Sequence, residues 1–264
     1  MKKIISIILA VGIAGFCAVP VSAQAPKKSE VKNGKIEYPA SGVMKYNEGT
    51  FEIWFKPLFD MSEKKPGTLP EIHCFLLFIG DSLGDEGLKV RCESFDKGGL
   101  LKISSMYLKS YMALVQEKLK WKPDEWHYFA MSWKYMDDQK NMHFVCYIDG
   151  KEYLKMDNPV KAELPSTDNY VIRLGNPKYN ARVLFDAIRF SSGVRTPEEI
   201  AASFNGGPKV DGSTTLVDSF DKLQIIDKAR AGTTTEERIP GTVIGYYEKL
   251  PGRYGNAIKL APGN

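Results

Sequence analysis

The chain has 264 residues, of which 43% are hydrophobic and 26% are charged, and this is ordinary usage for a globular protein. The composition excludes a long disordered chain, a collagen-like repeat and a dense disulfide scaffold. The formal net charge is +4 and no basic segment stands out, so we expect no nucleic-acid partner.

The first 23 residues have the pattern of a secretory signal peptide. Lys2 and Lys3 are followed by an apolar run over residues 4–19, and the small residues 21–23 form a cleavage site. The apolar run is too short for a usual membrane span, and a bulky residue before Cys17 argues against lipid attachment there. Cleavage would lower the net charge to +2, because both lysines are removed. We therefore expect a secreted, periplasmic or cell-surface protein.

The chain beyond the signal segment is predicted to be one soluble domain. Residues 24–33 are a polar, lysine-bearing stretch that we expect to be a flexible lead-in, and residues 34–264 would form the domain. No later apolar run is long enough to span a membrane, so we expect no membrane span in the mature chain.

Short strands dominate the predicted domain. Phe51, Ile53 and Phe55 share one face of the first clear strand, whereas Glu52 falls on the other face. Residues 72–79 are apolar almost throughout, as in a strand that is buried on both faces. Further strands are predicted at residues 88–95, 101–107, 126–134, 142–149, 151–156, 170–174 and 183–190. Residues 108–119 fit either helical or extended spacing, and periodicity alone does not decide between them.

One short helix is predicted after these strands. Thr196 is the N-cap, Pro197 is the first helical residue and Glu199 completes a capping box. Gly206 and Gly207 end the helix. Many strands with turns between them and one short helix predict an all-β sandwich.

Three cysteines follow the signal segment. Cys74 and Cys92 lie symmetrically about a turn-forming segment, residues 81–85, so a hairpin would bring their thiols within disulfide range. The alternative is that they are buried thiols, since cysteine often behaves as a small core residue. The third cysteine is Cys146, and the odd count leaves at least one cysteine unpaired within the chain.

Four segments in order resemble the LamG-like jelly-roll domains of the concanavalin A-like lectin/glucanase superfamily. The segments are GTFEIWFKP at 49–57, EWHYFAMSW at 125–133, VCYIDGK at 145–151, and FDAIRF at 185–190 with the capped helix start at 196–200. Their order and spacing agree with the family over roughly residues 34–205. The resemblance implies a two-sheet antiparallel jelly-roll sandwich. It does not imply one function, because this fold hosts lectins, hydrolases, lyases and adhesion modules.

The C-terminal part departs from the family order. Residues 216–221 and 252–260 resemble the way such domains begin, and residues 34–39 resemble the segment that would normally follow them. We therefore predict a circular permutation in which residues 212–264 supply the opening strands, placed beside the first strand of the chain. The alternative is the truncated start of a second repeat.

Catalytic motifs of this fold are not found in the sequence. The retaining glycosidases carry Glu-x-Asp-x-x-Glu on one strand, so that period-two spacing places the carboxylates on one face. A fragment at Glu71 to His73 matches part of a polysaccharide lyase signature, but its partner motifs are missing. His127 and His143 have no second ligand at metal spacing, so we expect no zinc site. The sequence thus leans against an enzyme, and a glycan-active enzyme with an unrecognised site is the alternative.

Calcium is the possible cofactor that the resemblance implies. Asp81, Asp85 and Glu86 lie in one glycine-containing loop and offer hard oxygen ligands. Asp186 stands where the family keeps an acidic residue on its closing strand. The competing interpretations are a solvated turn for the loop, and a hydrogen-bond partner of a neighbouring loop for Asp186.

Aromatic residues in loops are the candidates for sugar binding, because an exposed ring can stack on a pyranose. The candidates, with two possible hydroxyl-binding residues, are Trp121, Tyr135, Tyr179, Tyr246, Tyr247 and Tyr254, with Asn180 and Arg182. We therefore expect a bacterial-type secreted, non-catalytic recognition module for carbohydrate or another extracellular surface ligand. Its partner would be a glycan or a cell-surface protein. A structural cell-surface protein without a small ligand is a further alternative.

Overall fold

A computed structural model describes residues 33–58, 74–81, 87–95, 98–105, 107–108, 112–115, 119, 121–160, 166–176, 182–221 and 242–261. These residues belong to one unit, Val31–Asn264. Residues 1–32 lie outside the described residues, so the signal peptide and the lead-in stay predictions. Within the described ranges, no helix has the length and apolar character needed to cross a membrane.

Most of the described residues lie in β-strands. The strands are β1 (Lys35–Pro39), β2 (Glu48–Pro57), β3 (Cys74–Asp81), β4 (Gly87–Phe95), β5 (Gly98–Ser105), β6 (Met112–Val115), β7 (His127–Met136), β8 (Asn141–Ile148), β9 (Lys151–Pro159), β10 (Tyr170–Gly175), β11 (Val183–Ser191), β12 (Thr214–Asp218), β13 (Thr242–Ile244), β14 (Glu248–Pro251) and β15 (Asn256–Lys259). Helix α1 (Pro197–Gly206) follows β11. Where the ambiguous segment 108–119 is described, it is extended at β6 and at a bridge from Leu108 to Val160, and helical at Leu119.

Two antiparallel sheets contain these strands. The seven-stranded sheet has the order β13-β1-β10-β3-β4-β5-β6. The eight-stranded sheet has the order β14-β15-β11-β2-β7-β8-β9, with β12 also paired to β11. The prediction of an all-β, two-sheet antiparallel sandwich with a short helix is therefore confirmed for the described part of the chain.

The main core lies between the two sheets. Phe51, Ile53 and Phe55 are fully buried in it, as their alternation in the sequence predicted. A second, smaller cluster lies on the outer face of the eight-stranded sheet, where Trp54 packs with Ile200 of α1. Helix α1 thus covers the outer face around β2 and β11, which explains why both strands are buried on both faces.

The C-terminal strands lie beside the beginning of the domain. Strand β13 pairs with β1, and β15 pairs with both β14 and β11. The Gly34 backbone N–H donates to the Leu260 carbonyl at 2.6 Å. Residues 256–259 therefore have partner strands, which is the arrangement that a permuted domain requires. The permutation itself stays a prediction.

Candidate functional site

A buried ion pair on β2 and β11 forms the floor of the candidate site. Glu52 and Arg189 are directly opposite in the strand register, and their side chains are 0% and 2% exposed. Arg189 Nη2 donates to Glu52 Oε1 at 2.6 Å, and Nε donates to the other carboxylate oxygen. The Tyr128 hydroxyl also donates to Glu52, and burial keeps the pKa of Tyr128 well above its usual value. The carboxylate therefore has cationic and neutral donors around it.

A second arginine pair lies beside the first. Arg195 Nη2 donates to Asp211 Oδ1 at 2.8 Å, and Nη1 is 2.8 Å from Asp211 Oδ2, which makes a bidentate pair. Arg195 Nε donates to Ser191 Oγ at 2.7 Å. Because Arg195 donates to it, the pKa of the Asp211 carboxyl lies well below its usual range. Asp211 therefore stays ionised and fixes the orientation of the guanidinium.

Helix α1 is held over these pairs by side-chain hydrogen bonds. Its N-terminus has the predicted capping box, in which Thr196 N donates to Glu199 Oε2 at 2.8 Å and Glu199 N donates to Thr196 Oγ1 at 3.3 Å. Ser203 Oγ donates to the Glu199 carbonyl at 3.0 Å and accepts from Arg189 Nη2. The local sequence signal thus starts the helix, and Ser203 ties it to the charged floor.

A cavity of about 190 Å³ opens between α1 and the loop 207–211 that follows it. Its polar lining residues are Arg189, Arg195, Glu199, Ser203, Lys209 and Asp211. This lining contains three cations and two carboxylates, and Glu52 behind Arg189 is a third carboxylate, so the formal charges balance.

An aromatic cluster lies on the same outer face. The Trp54 ring is stacked on Phe204 of α1, with 5.3 Å between centroids and 15° between planes. Tyr254 meets Trp54 edge-on at 5.7 Å. The guanidinium carbon of Arg253 lies 4.3 Å from the centroid of the Trp54 ring. Trp54 is therefore 1% exposed although it points away from the main core.

Asp186 is directly opposite Trp54 in the pairing of β11 with β2. Its Oδ2 accepts from the backbone N–H groups of Arg253 at 2.6 Å and Tyr254 at 2.8 Å. Burial raises the pKa of the Asp186 carboxyl to about 6. Among the described residues, Asp186 Oδ1 and Trp54 Nε1 have no hydrogen-bond partner. Asp186 thus holds the turn between β14 and β15. This agrees with the interpretation of Asp186 as a hydrogen-bond partner of a neighbouring loop.

The aromatic residues that the sequence suggested for sugar binding differ in their burial and in their distance from the cavity. Trp121 is 3% exposed and belongs to the main core, where it lies 5.1 Å from Phe55 and stacks on His127 at 5.0 Å. The expectation that its ring faces a ligand is wrong, because the segment before β7 folds back against the core. Tyr135 is half-buried against the same core. Neither ring lies at the cavity.

The remaining candidates lie apart from the cavity or outside the described residues. Tyr246 is half-buried and donates to Glu248 at 3.0 Å, whereas Tyr247 is 42% exposed. Arg182 donates to the Leu58 carbonyl at 3.1 Å. Tyr179 and Asn180 lie outside the described residues. Of the rings considered from the sequence, Tyr254 is the one that the structure brings to the aromatic cluster.

The calcium candidates are divided between the two sheets. Asp81 ends β3 in the seven-stranded sheet, whereas Asp186 lies in β11 of the other sheet. The Asp81 side chain, Asp85 and Glu86 lie outside the described residues. In the part of the chain that is described, no three His, Cys, Asp or Glu side chains form a group able to hold a metal ion. Calcium binding by the 81–86 loop stays a prediction.

The cysteine hairpin has the predicted register. Cys74 on β3 and Cys92 on β4 are direct partners, although the side chain of Cys74 lies outside the described residues. The disulfide therefore stays a prediction. Cys146 is a buried free thiol, and burial raises its pKa to about 12.

Sequence reasoning missed the residues that form the cavity floor. It placed Glu52 correctly on the face of β2 opposite Phe51 and Phe55, but it did not predict that α1 covers that face. The available signal was the capped helix directly after β11, since a short amphipathic helix there must cover one sheet face. That helix converts Glu52 and Arg189 from surface residues into a buried pair.

Comparison with known proteins gives distant structural likenesses. No family model matches the sequence, and no curated protein matches it. Trypanosoma rangeli sialidase aligns over 60% of this chain and 22% of its own, with 18% identity and a TM-score of 0.41. The CBM40 of Ruminococcus gnavus IT-sialidase aligns over 66% and 95%, with 13% identity and a TM-score of 0.38. The binding domain of Botulinum neurotoxin DC, in complex with rat synaptotagmin II, aligns over 68% and 43%, with 11% identity and a TM-score of 0.37.

These TM-scores and identities are too low to assign the chain to a family. The alignment also spans less than a quarter of the sialidase chain. The strand pairing itself therefore defines the class of this protein, which is an all-β antiparallel sandwich. Within that class, this chain has a charge-balanced cavity between the capped helix α1 and the loop that follows it.

Proposed function

We propose that this protein is an exported, non-catalytic recognition module that binds carbohydrate in the cavity beside α1. The cavity of about 190 Å³ is the observation that carries the proposal. Sugar hydroxyls both donate and accept hydrogen bonds, and the lining offers guanidinium donors next to carboxylate acceptors. Its balanced charge favours an uncharged polar ligand over an ion.

The polar groups of the cavity are fixed before a ligand arrives. Arg189 uses four of its five N–H groups on Glu52, Ser203 and the Lys209 carbonyl. Because the guanidinium is already immobilised, binding loses little side-chain entropy. This preorganisation supports recognition of a specific hydroxyl arrangement.

The carboxylates near the cavity support binding rather than proton transfer. Glycoside hydrolysis needs a carboxylic acid of raised pKa that reaches the glycosidic oxygen. The pKa of Asp211 is lowered by Arg195 instead. Asp186 has the raised pKa, but it is fully buried and its Oδ2 is bound to two backbone N–H groups. We therefore propose no catalytic role for either residue.

A glycan array with the full chain, in calcium and in EDTA, tests the function, followed by titration calorimetry of the best ligand. Ala202 lines the cavity and lies on the exposed side of α1, so Ala202→Trp would fill the cavity with little effect on the core. Asn205→Trp is the matched control, because Asn205 is exposed on the same helix. We expect at least a tenfold loss of affinity for A202W and less than a twofold change for N205W.

Two outcomes would contradict the proposed function. The first is that no glycan binds, and the second is that A202W binds as tightly as N205W. Calcium dependence has a separate meaning, since it would support the predicted calcium binding without identifying which residues hold the ion. Export is tested by N-terminal sequencing of the secreted protein, which we expect to begin at Gln24.

A further inference from the structure

We infer that Trp54 is a second saccharide-binding surface, covered in this structure by the Arg253 side chain and continuous with the cavity. This inference rests on the proposed function and deepens it, because it makes the ligand an oligosaccharide rather than a single sugar. It depends on three observations of the outer face: the cover over Trp54, the polar atoms beneath it, and the path from Trp54 to the cavity.

The cover over Trp54 is weakly held. Arg253 is exposed, and its guanidinium carbon lies 4.3 Å from the Trp54 ring centroid and 5.8 Å from that of Tyr254. No carboxylate of the described residues forms an ion pair with it. A cation–π contact at an exposed site is weak, so a ligand can displace this side chain readily. The ring face that becomes free would suit the C–H face of a pyranose, since Trp54 is large, apolar and fixed by Phe204.

The polar atoms beneath the cover point to a hydroxyl group. Trp54 Nε1 is a donor and Asp186 Oδ1 is an acceptor, and the two residues are directly opposite across β2 and β11. Both atoms are buried and have no hydrogen-bond partner among the described residues. Leaving such groups unpaired is unfavourable, and a hydroxyl can accept from the indole and donate to the carboxylate. Arg253 contacts both residues, through its backbone N–H to Asp186 and its guanidinium over Trp54.

The path to the cavity runs through Gly207 and Tyr254. Gly207 lines the cavity, and a Cβ atom added to it would lie 3.4 Å from Cε1 of Tyr254. The Tyr254 ring in turn meets Trp54 edge-on at 5.7 Å, and its hydroxyl donates to the Phe204 carbonyl at 3.3 Å. Gly207, Tyr254 and Trp54 are therefore consecutive neighbours leading away from the cavity, and we place the further sugar units of the ligand along them.

The test compares Arg253→Ala with the unchanged full chain, with Arg253→Gln as a second variant that keeps most of the side chain's length. The probes are maltotriose, cellotriose and chitotriose, each compared with its monosaccharide. Binding is measured by the ¹H–¹⁵N signal of the Trp54 indole and by calorimetry. We expect a shift of the Trp54 signal on adding a trisaccharide and a three- to tenfold gain in trisaccharide affinity in R253A. Monosaccharide affinity should be unchanged.

Lys56→Ala is the control variant. Lys56 Nζ lies 5.5 Å from the centroid of a different ring, Trp126, so the change removes a cation from that ring instead. It should leave the affinities for both the monosaccharide and the trisaccharide unchanged.

The inference is overturned if R253A folds normally and no trisaccharide moves the Trp54 signal, or if the affinity gain is equal for mono- and trisaccharides. Saccharide binding that is sensitive to A202W but not to R253A would keep the proposed function and remove the second surface. The absence of any saccharide binding to either protein would remove both.

Discussion

Glu52 and Arg189 form a buried, doubly hydrogen-bonded ion pair at directly opposed positions of β2 and β11. Arg189→Met would leave the Glu52 carboxylate buried without its main cation. We expect this change to lower the free energy of unfolding by about 3–5 kcal/mol, measured by urea denaturation. The double variant Glu52→Leu with Arg189→Met should be less destabilised than R189M alone, because it leaves no uncompensated charge.

An exposed ion pair is the control for this prediction. Lys140 and Asp137 approach to 2.7 Å, but their side chains are 71% and 82% exposed. Lys140→Met should leave the urea midpoint almost unchanged, since water screens such pairs. Equal effects of R189M and K140M would contradict a structural role for the buried pair.

We expect the contribution of Asp186 to the free energy of unfolding to change with pH. Its pKa in the folded protein is raised from 3.8 to about 6, chiefly by burial, so the folded state binds this proton more tightly than the unfolded state. The resulting stabilisation is complete below about pH 4 and is lost as the pH rises through about 6. Asp186→Asn removes the buried charge, so we expect D186N to be more stable than the unchanged protein by about 1–3 kcal/mol at pH 7.5.

The two proteins should converge in stability at about pH 3, where Asp186 is protonated in both the folded and the unfolded state. Thermal unfolding of the unchanged protein and D186N from about pH 3 to about pH 8 measures the difference. The nearby charges are Asp221, which raises the Asp186 pKa, and Arg253 above Trp54. A difference in stability that is constant across this range would show that Asp186 does not titrate there.

Gly34 lies where the first and last segments of the domain pack closely against each other. A Cβ atom added to it would lie 1.8 Å from the Tyr246 carbonyl oxygen. We expect Gly34→Ala to destabilise the protein by about 1–3 kcal/mol in urea denaturation, since backbone must move to admit the methyl group. Gly193→Ala is the matched control, because no atom lies within 4 Å of a Cβ placed there. Equal stability of the two variants would show that the junction between β1 and the C-terminal strands is loose.

The opposed positions of Cys74 and Cys92 predict a disulfide in the exported protein. Alkylation of the denatured protein, followed by mass spectrometry, should modify Cys146 without reduction and the other two after reduction alone. Closing a loop of this size contributes about 3 kcal/mol in the chain-entropy model, so reduction should lower the unfolding midpoint. Three alkylated thiols without reduction would show that no bond forms.

Alternation and capping, which depend on neighbours along the chain, were predictable from the sequence. Phe51, Ile53 and Phe55 had to share a face because strand side chains alternate, and Thr196 with Glu199 had to begin a helix because the capping box satisfies free N–H groups locally. The opposed cysteines follow from the same short-range hairpin symmetry.

Only the tertiary structure shows which sheet faces are covered by other elements and which side chains those elements bury. Period two assigns Glu52 and Trp54 to one face, but it does not say that α1 and the turn carrying Arg253 pack on it. The same limit explains Trp121, whose loop position did not reveal that it lies in the core. Contacts between segments far apart in the chain depend on the packing of whole sheets, and no local pattern records them.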